Sequence, residues 1–301
     1  MSITSGTYQT YTMIGQREDL TDVITNISPM ETWFTTNSGS VNVTARYHEW
    51  QTDALVAAAA NAQIEGDEAT ATAITPTVRA GNYTQILRKV FIISDTADVV
   101  DKAGRDSEVS YQTQKQLKEL ARDIEYALVI NSATASGASA TARTLKGVLG
   151  WIATNTSSAT ATGLDITETL LNDNLQLIWA AGGHPKNVLV GAYNKRKISA
   201  FTTNTKFTNA DDKTLTAAVD VYESDFGMLA IRLHFQLNTT SPGTIVILGD
   251  MGLWKKGWLR KVKTEKLARI GAATRIMIEG ELTLESRQEA GSGKIVSTKS
   301  S

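Results

Sequence analysis

Between Tyr47 and Tyr83 the chain reads "YHEWQTDALVAAAANAQIEGDEATATAITPTVRAGNY", and this stretch limits the possible folds more than any other. It opens with β-prone aromatics, passes through a run of alanines and an acidic knot, and drifts into Ala/Thr alternation. Large apolar side chains are few and scattered, so a segment of this length cannot recover its ordering entropy by packing on a core of its own. What such a stretch does if it cannot fold onto a core is the question the chain raises.

The rest of the chain can supply a core. With 301 residues, 42% of them hydrophobic, it has the size of one large or two medium domains. Aromatics make up only 7%, while Ala, Thr, Ser and Asn recur throughout. That bias suits extended, surface-lying backbone, and much of the chain is expected to be interface. There is no cysteine, which removes disulfides, thiolate nucleophiles and Cys-based metal sites and fits a reducing cytoplasm. The opening "MSITSGTYQTYTMIGQREDL" has neither the basic start nor the apolar stretch of a signal peptide. No apolar run reaches the ~20 residues that span a bilayer, so the chain is expected to be soluble where it is made, with no membrane partner. The Asn-x-Ser/Thr sequons at Asn26, Asn42, Asn82, Asn155 and Asn238 then reflect only the abundance of Ser and Thr.

Net charge is −1, but it is unevenly spread. The first 88 residues hold no lysine and four arginines against nine acids, among them Glu49, Glu65, Asp67 and Glu68. From Met251 to Arg275 the balance reverses: Lys255, Lys256, Arg260, Lys261, Lys263, Lys266, Arg269 and Arg275 face Glu265 alone. Such a split fits either a nucleic-acid face or two parts of one protein that meet across subunits.

Periodicity locates the main elements. In "REDLTDVITNISP", Leu20, Val23, Ile24 and Ile27 form one narrow stripe of a short helix. "YTQILRKVFIISDT" is dense in β-branched residues, as in a strand buried on both faces. The longest helix signal is "DSEVSYQTQKQLKELARDIEYALVIN": Asp106 or Ser107 caps it, and Leu117, Leu120, Ala121, Ile124 and Leu128 lie opposite Lys118, Arg122 and Glu125. Loops around a short helix or strand at Val148 to Ile152 follow. "DITETLLNDNLQLIWAAGG" then begins a second domain. Asp165 and Glu168 have capping-box spacing there, Leu171, Leu175 and Ile178 form the stripe, and Gly182 and Gly183 stop the helix. "NVLVG" and "TIVIL" are short buried strands, and "NKRKISAF" a basic helical turn. "AIRLHFQL" alternates Ile231, Leu233, Phe235 and Leu237 with Arg232, His234 and Gln236. In "TRIMIEGELTLESR", Ile276, Ile278, Leu282 and Leu284 face away from Arg275, Glu279, Glu281, Glu285 and Arg287. Gly280 falls on the apolar side, where it marks a bulge or a crossing element.

Catalytic patterns are missing. The histidines are His48, His184 and His234. "HEW" at His48 lacks a second histidine at i+4, so there is no zinc-protease helix. His184 sits before Pro185 in a loop, and His234 on a polar strand face; each is expected to be satisfied or solvated. "GSGK" at 291–294 lacks the earlier glycine, the following Ser/Thr and the preceding apolar strand of a phosphate loop. No Gly-x-Ser-x-Gly elbow occurs. Acid pairs such as Asp211 with Asp212 are more simply exposed loop acids. No enzyme activity, cofactor or metal is expected.

The segments "EDLTDVITNISPMET", "YHEWQTDAL", "GNYTQILRKVFIISDTADVVDKAGR", "RDIEYALV", "AGGHPKNVLVG", "NKRKISAF" and "DMGLWKKGWLR" carry a resemblance that covers nearly the whole chain. They resemble a subfamily of tailed-bacteriophage major capsid proteins with the α+β Hong Kong 97-type fold. The resemblance implies an N-arm (1–45), an extended E-loop (46–84), a first part of a peripheral (P) domain with a spine helix (85–132), an axial (A) domain (133–248) and P-domain return strands with the C-terminus (249–301). It implies a virion protein, made and assembled in the host cytoplasm, that builds an icosahedral head from hexamers and pentamers of itself. Portal, scaffold and decoration proteins would be further partners, with double-stranded DNA packed non-specifically inside. The opening stretch would then be a hairpin buried on a neighbouring subunit. Glu49, Glu65, Asp67 and Glu68, with Lys255, Lys256, Arg260, Lys261 and Lys263, become the expected inter-subunit contacts. Residues 47–87 contain no lysine, which excludes the E-loop lysine crosslink of some members of the fold. A tail-tube component shares the small-residue bias but does not predict a long spine helix between hairpin and strands; a hydrolase is the distant third alternative.

Overall fold

The computed structural model describes residues 31–68, 71, 73–159, 164–201, 221–238, 244–296 and 298. Along the chain these form α1 (Trp33–Asn37), β1 (Gly39–Asn42), β2 (Tyr47–Thr52), β3 (Val78–Tyr83), β4 (Gln85–Ser94), α2 (Asp95–Val99), α3 (Glu108–Ile130) and α4 (Val148–Trp151). There follow β5 (Asn155–Ser158), α5 (Glu168–Ala180), β6 (Asn187–Val190), α6 (Ala192–Phe201), β7 (Val221–Ser224) and β8 (Gly227–Leu233). Then come β9 (Val246–Gly249), β10 (Trp254–Lys266), β11 (Ala273–Ser286) and β12 (Gly293–Val296). The helix expected around Leu20 to Ile27 lies outside the described residues.

The first sheet has the order β1-β10-β11-β4, with β10 and β11 a long antiparallel pair. The alternation on β11 puts Ile276, Ile278, Leu282 and Leu284 into one core with Leu120, Ile124 and Leu128 of α3. Gly280 sits opposite two register slips in β10, between Trp258 and Arg260 and between Arg260 and Lys263. A Cβ there would meet Val262 Cγ2 at 2.9 Å and Trp258 Cζ3 at 3.1 Å. The expected bulge is present, carried by the partner strand. The other face of β11 is not wholly solvated, because Glu281 and Glu285 are buried on it.

Two expectations for this half need correction. β4 is buried on one face only: Leu87, Phe91 and Ile93 pack on the core, while Ile86, Val90 and Ile92 are 46%, 45% and 58% exposed. It is an edge strand, and no described element covers its outer side. On α3, Leu117 is partly exposed and Glu125 fully buried, the reverse of their expected placement. The start of α3 is as expected, with the Ser107 hydroxyl accepting from Ser110 N at 3.3 Å. Asp98 adds a second cap, its Oδ1 accepting from Ser107 Oγ, Glu108 N and Val109 N at 3.1, 2.9 and 3.2 Å. At 1.5 Å per residue the helix runs roughly 35 Å.

The second sheet has the order β5-β12-β9-β6-β8-β7. One of its faces sends Leu189 and Ile247 into the core shared with α3. The other sends Val188, Val190, Val246, Leu248 and Ile295 under Leu171, Leu175 and Ile178 of α5. Residues after 249 therefore feed both sheets, β10 and β11 the first and β12 the second. α5 stops as expected, with Gly182 at φ +82°. It is capped, however, by Thr167, whose hydroxyl accepts from Leu170 N at 3.2 Å. Asp165 instead holds Tyr193 Oη at 2.5 Å and Lys197 Nζ at 2.7 Å, and Glu168 accepts from Tyr222 Oη at 2.8 Å. The alternation of "AIRLHFQL" also breaks: β8 ends at Leu233 and a 3-10 turn follows at Phe235–Asn238. His234 and Leu237 therefore turn inward, while Leu233 and Phe235 are exposed.

Candidate assembly surface

β2 and β3 pair antiparallel from Tyr47↔Tyr83 to Thr52↔Val78 and, among the described residues, join no other strand. A free two-stranded hairpin is marginal in water, and this one is held at its root by side chains. Asn82, fully buried, donates from Nδ2 to the carbonyls of Lys146 and Leu284 at 2.9 and 2.8 Å and accepts from Lys146 N at 2.8 Å. His48 Nε2 lies 2.9 Å from Glu285 Oε2. The rings of Trp50 and Trp151 lie 5.2 Å apart. Thr84 Oγ1 donates to Glu281 at 2.6 Å, and Arg143 and Arg260 close on the same carboxylate at 2.6 and 3.0 Å. Burial works to raise the Glu281 pKa, but these hydrogen bonds and the two guanidinium charges outweigh it and hold the group below the usual carboxylate range. The polar face of β11 is thus the seat of the hairpin.

Beyond this root the chain has little to hold it. The described residues between Thr52 and Val78 form no strand or helix and are exposed throughout. Leu55 is 100% exposed, and Val56, Ile64 and Ile74 are nearly so. Burying each such side chain is worth ~1.5–3 kcal/mol, and a single subunit gains none of it. The hairpin thus has a root tied into β11 and a loop whose apolar and acidic side chains are exposed.

The candidate contact residues fall into two places. Glu65, Asp67 and Glu68 are exposed near the end of the loop, and Glu49 pairs with Arg79 across the hairpin at 3.0 Å. Lys255, Lys256, Arg260, Lys261 and Lys263 line up along β10. Three of these have partners in the same chain. Lys256 Nζ donates to the carbonyls of Thr35 and Ser38, Arg260 is paired with Glu279 and Glu281, and Lys263 lies 3.0 Å from Glu265. Lys255 packs along Gly39, and Lys261 is exposed. Among the described residues no ion pair joins the acidic loop to the basic strand.

Residues that sequence reasoning missed hold the frame together. Glu125 accepts from Phe34 N at 2.7 Å, Thr35 N at 2.8 Å and the Thr35 hydroxyl, and lies 2.8 Å from His234 Nε2. Burial works to raise its pKa, but the bonds from His234 and Thr35 prevail and the carboxyl lies below its usual range. Its position one residue past Ile124, at the border of the apolar stripe, was the only signal in the sequence.

Comparison with known proteins fits this geometry. The family model described as the SU10 major capsid protein matches residues 3–299. The major capsid protein of Escherichia phage Phieco32 is 37% identical over 127 residues, which is 42% of this chain and 36% of that protein, so the match spans little more than a third of the relative's length. Among solved structures, the holo-SrpI encapsulin complex of Synechococcus elongatus PCC 7942 superposes with a TM-score of 0.65 at 9% identity, covering 94% of both chains. The capsid of a native GTA particle gives 0.64 at 13% identity, covering 95% of this chain and 96% of that one. A Gordonia phage Cozz structure gives 0.61 at 13% identity, covering 93% and 91%. At such identities the likeness is one of fold, and the fold is the Hong Kong 97-type capsid fold. Since the family model spans nearly the whole sequence, the chain belongs to the SU10 major capsid protein family.

Proposed function

We propose that the chain is the main subunit of an icosahedral head of a tailed double-stranded DNA phage, assembled from hexamers and pentamers of itself. The observation that carries this reading is the rooted hairpin, whose loop exposes Leu55, Val56, Ile64 and Ile74 with no core of its own to enter. In this scheme residues 1–45 are the N-arm, 46–84 the E-loop, 85–132 and the β10–β11 pair the P domain, and 133–248 the A domain. β12 joins the A domain because it lies between β5 and β9. Assembly takes place in the host cytoplasm. Scaffold, portal and decoration proteins, and DNA packed non-specifically inside, complete the particle.

Within the shell, the acidic tip at Glu65, Asp67 and Glu68 approaches a neighbour's β10, where Lys261 and Lys255 are the candidate cations taken up by neither a carboxylate nor a carbonyl of their own chain among the described residues. Electron microscopy of the full chain, expressed with and without the scaffold gene of its phage, tests the assignment. Closed icosahedral shells are expected. Tubes would point to a tail component, and dispersed particles in both preparations would refute a shell-forming subunit.

A further inference from the structure

Glu125 joins three elements through polar groups: α1, α3 and the end of the second sheet. Helix α1 has no side-chain cap from Thr32, and its free amides at Phe34 and Thr35 donate to the Glu125 carboxylate instead. At the opposite end Lys256 takes the Thr35 and Ser38 carbonyls. An anion therefore sits at the positive end of this one-turn helix and a cation at its negative end. Between the two clamps Phe34 is fully buried, edge-on to Trp254 with ring centroids 6.4 Å apart.

The second side of the carboxylate belongs to the other layer. His234 follows β8, is 4% exposed, and ties its backbone N–H to the Val190 carbonyl at the end of β6 at 2.9 Å. Its Nε2 lies 2.8 Å from Glu125 Oε1, and because an ionised carboxylate can only accept, Nε2 is the donor of that contact. Its Nδ1 is buried with no partner among the described residues, so the carboxylate is the ring's polar anchor. The third element is α3 itself, fixed in the first core by Ile124 and Leu128.

A carboxylate with no exposed surface is tolerated only while its lone pairs are filled. Here some donors come from α1 and one from the second sheet. Removing either side leaves the other holding a less satisfied charge, so the two sets of contacts are not independent. We propose that Glu125 is a latch through which the docking of α1 and the seating of the β8–β6 end of the second sheet stabilise each other. The latch lies inside one subunit and does not depend on the shell reading. By linkage its effect must be reciprocal.

Hydrogen exchange on the full chain tests it. Exchange at the Phe34 and Thr35 amides reports α1, that at His234 and Leu237 reports the second sheet, and the Leu171 amide in α5 is the control. His234→Leu, which removes the donor to Glu125, should speed exchange at Phe34 and Thr35 by about five- to 150-fold, the usual span of coupling between sites, with Leu171 unchanged. Thr35→Val, which removes one donor at nearly constant shape, should speed His234 and Leu237 within the same span. Thr35→Val disturbs folding least and decides the matter if His234→Leu does not fold. Acceleration confined to the substituted side, no acceleration, or acceleration shared equally by Leu171 would each overturn the latch.

Discussion

At the scale of single residues, the buried carboxylate of Glu125 is held by donors from two other parts of the fold. Breaking a buried, hydrogen-bonded charge by removing one partner costs about 3–5 kcal/mol. Glu125→Gln keeps the shape but replaces the acceptor pair with one acceptor and one misplaced donor, so about 3 kcal/mol of stability should be lost at neutral pH. The pH dependence follows from the direction of the shift. The folded-state pKa of Glu125 is depressed, so its contribution is complete above the unfolded-state pKa and is lost as pH falls through the lower folded value. The gap in unfolding free energy between wild type and Glu125→Gln should therefore be present above the usual carboxylate range and close as pH falls below it. Denaturant unfolding at a series of pH values measures that gap; a gap that widens toward acid would contradict the assignment.

At the scale of elements, what was legible depended on whether an element carried its own pattern. α3, α5 and β11 did, because each is long enough for the stripe or alternation to repeat, and Leu120, Ile124, Leu171, Leu175, Ile276 and Ile278 are buried where the periodicity put them. β4 misled because apolar density states what a strand could bury, not whether anything covers it. The Asp165 cap failed because Thr167 stands nearer the helix and Asp165 found Lys197. The site divides in the same way. The exposed loop was readable from its lack of core formers and the hairpin only through the family resemblance, but its root was legible in neither, since His48 meets Glu285 from 237 positions away. Gly280 was the exception, a single residue that announced a neighbour. Gly280→Ala should cost about 1–3 kcal/mol, because the new methyl must displace Val262 or Trp258 within a packed sheet. Denaturant titration reads the loss as a lower midpoint at unchanged slope. A midpoint equal to wild type would mean that the β10 bulge yields freely.

At the scale of the whole molecule, the loop separates folding from assembly. Leu55, Ile64 and Ile74 are almost wholly exposed in the single subunit, and surface substitutions of this kind usually change stability by no more than about 0.5 kcal/mol. In a shell the same side chains would be withdrawn from water, so an aspartate at each would carry a desolvation cost in addition to the lost apolar burial. The triple variant Leu55→Asp, Ile64→Asp, Ile74→Asp should therefore melt as wild type when dispersed and fail to form shells. The acidic tip contributes a weaker effect of different character. One exposed ion pair is worth ~0.2–1 kcal/mol, but it recurs at every subunit and is screened over ~8 Å at physiological ionic strength. Reversing Glu65, Asp67 and Glu68 to lysine should raise the protein concentration needed for shells most at low salt. Lys261→Glu in the same chain should restore part of the loss, since Lys256, Arg260 and Lys263 already have partners within their own subunit. Light scattering against protein and salt concentration separates the two effects: the apolar variant should be defective at every ionic strength, and the charge variant chiefly at the lowest. If the apolar variant assembles normally, the loop does not enter the subunit interface and the hairpin faces solvent in the particle.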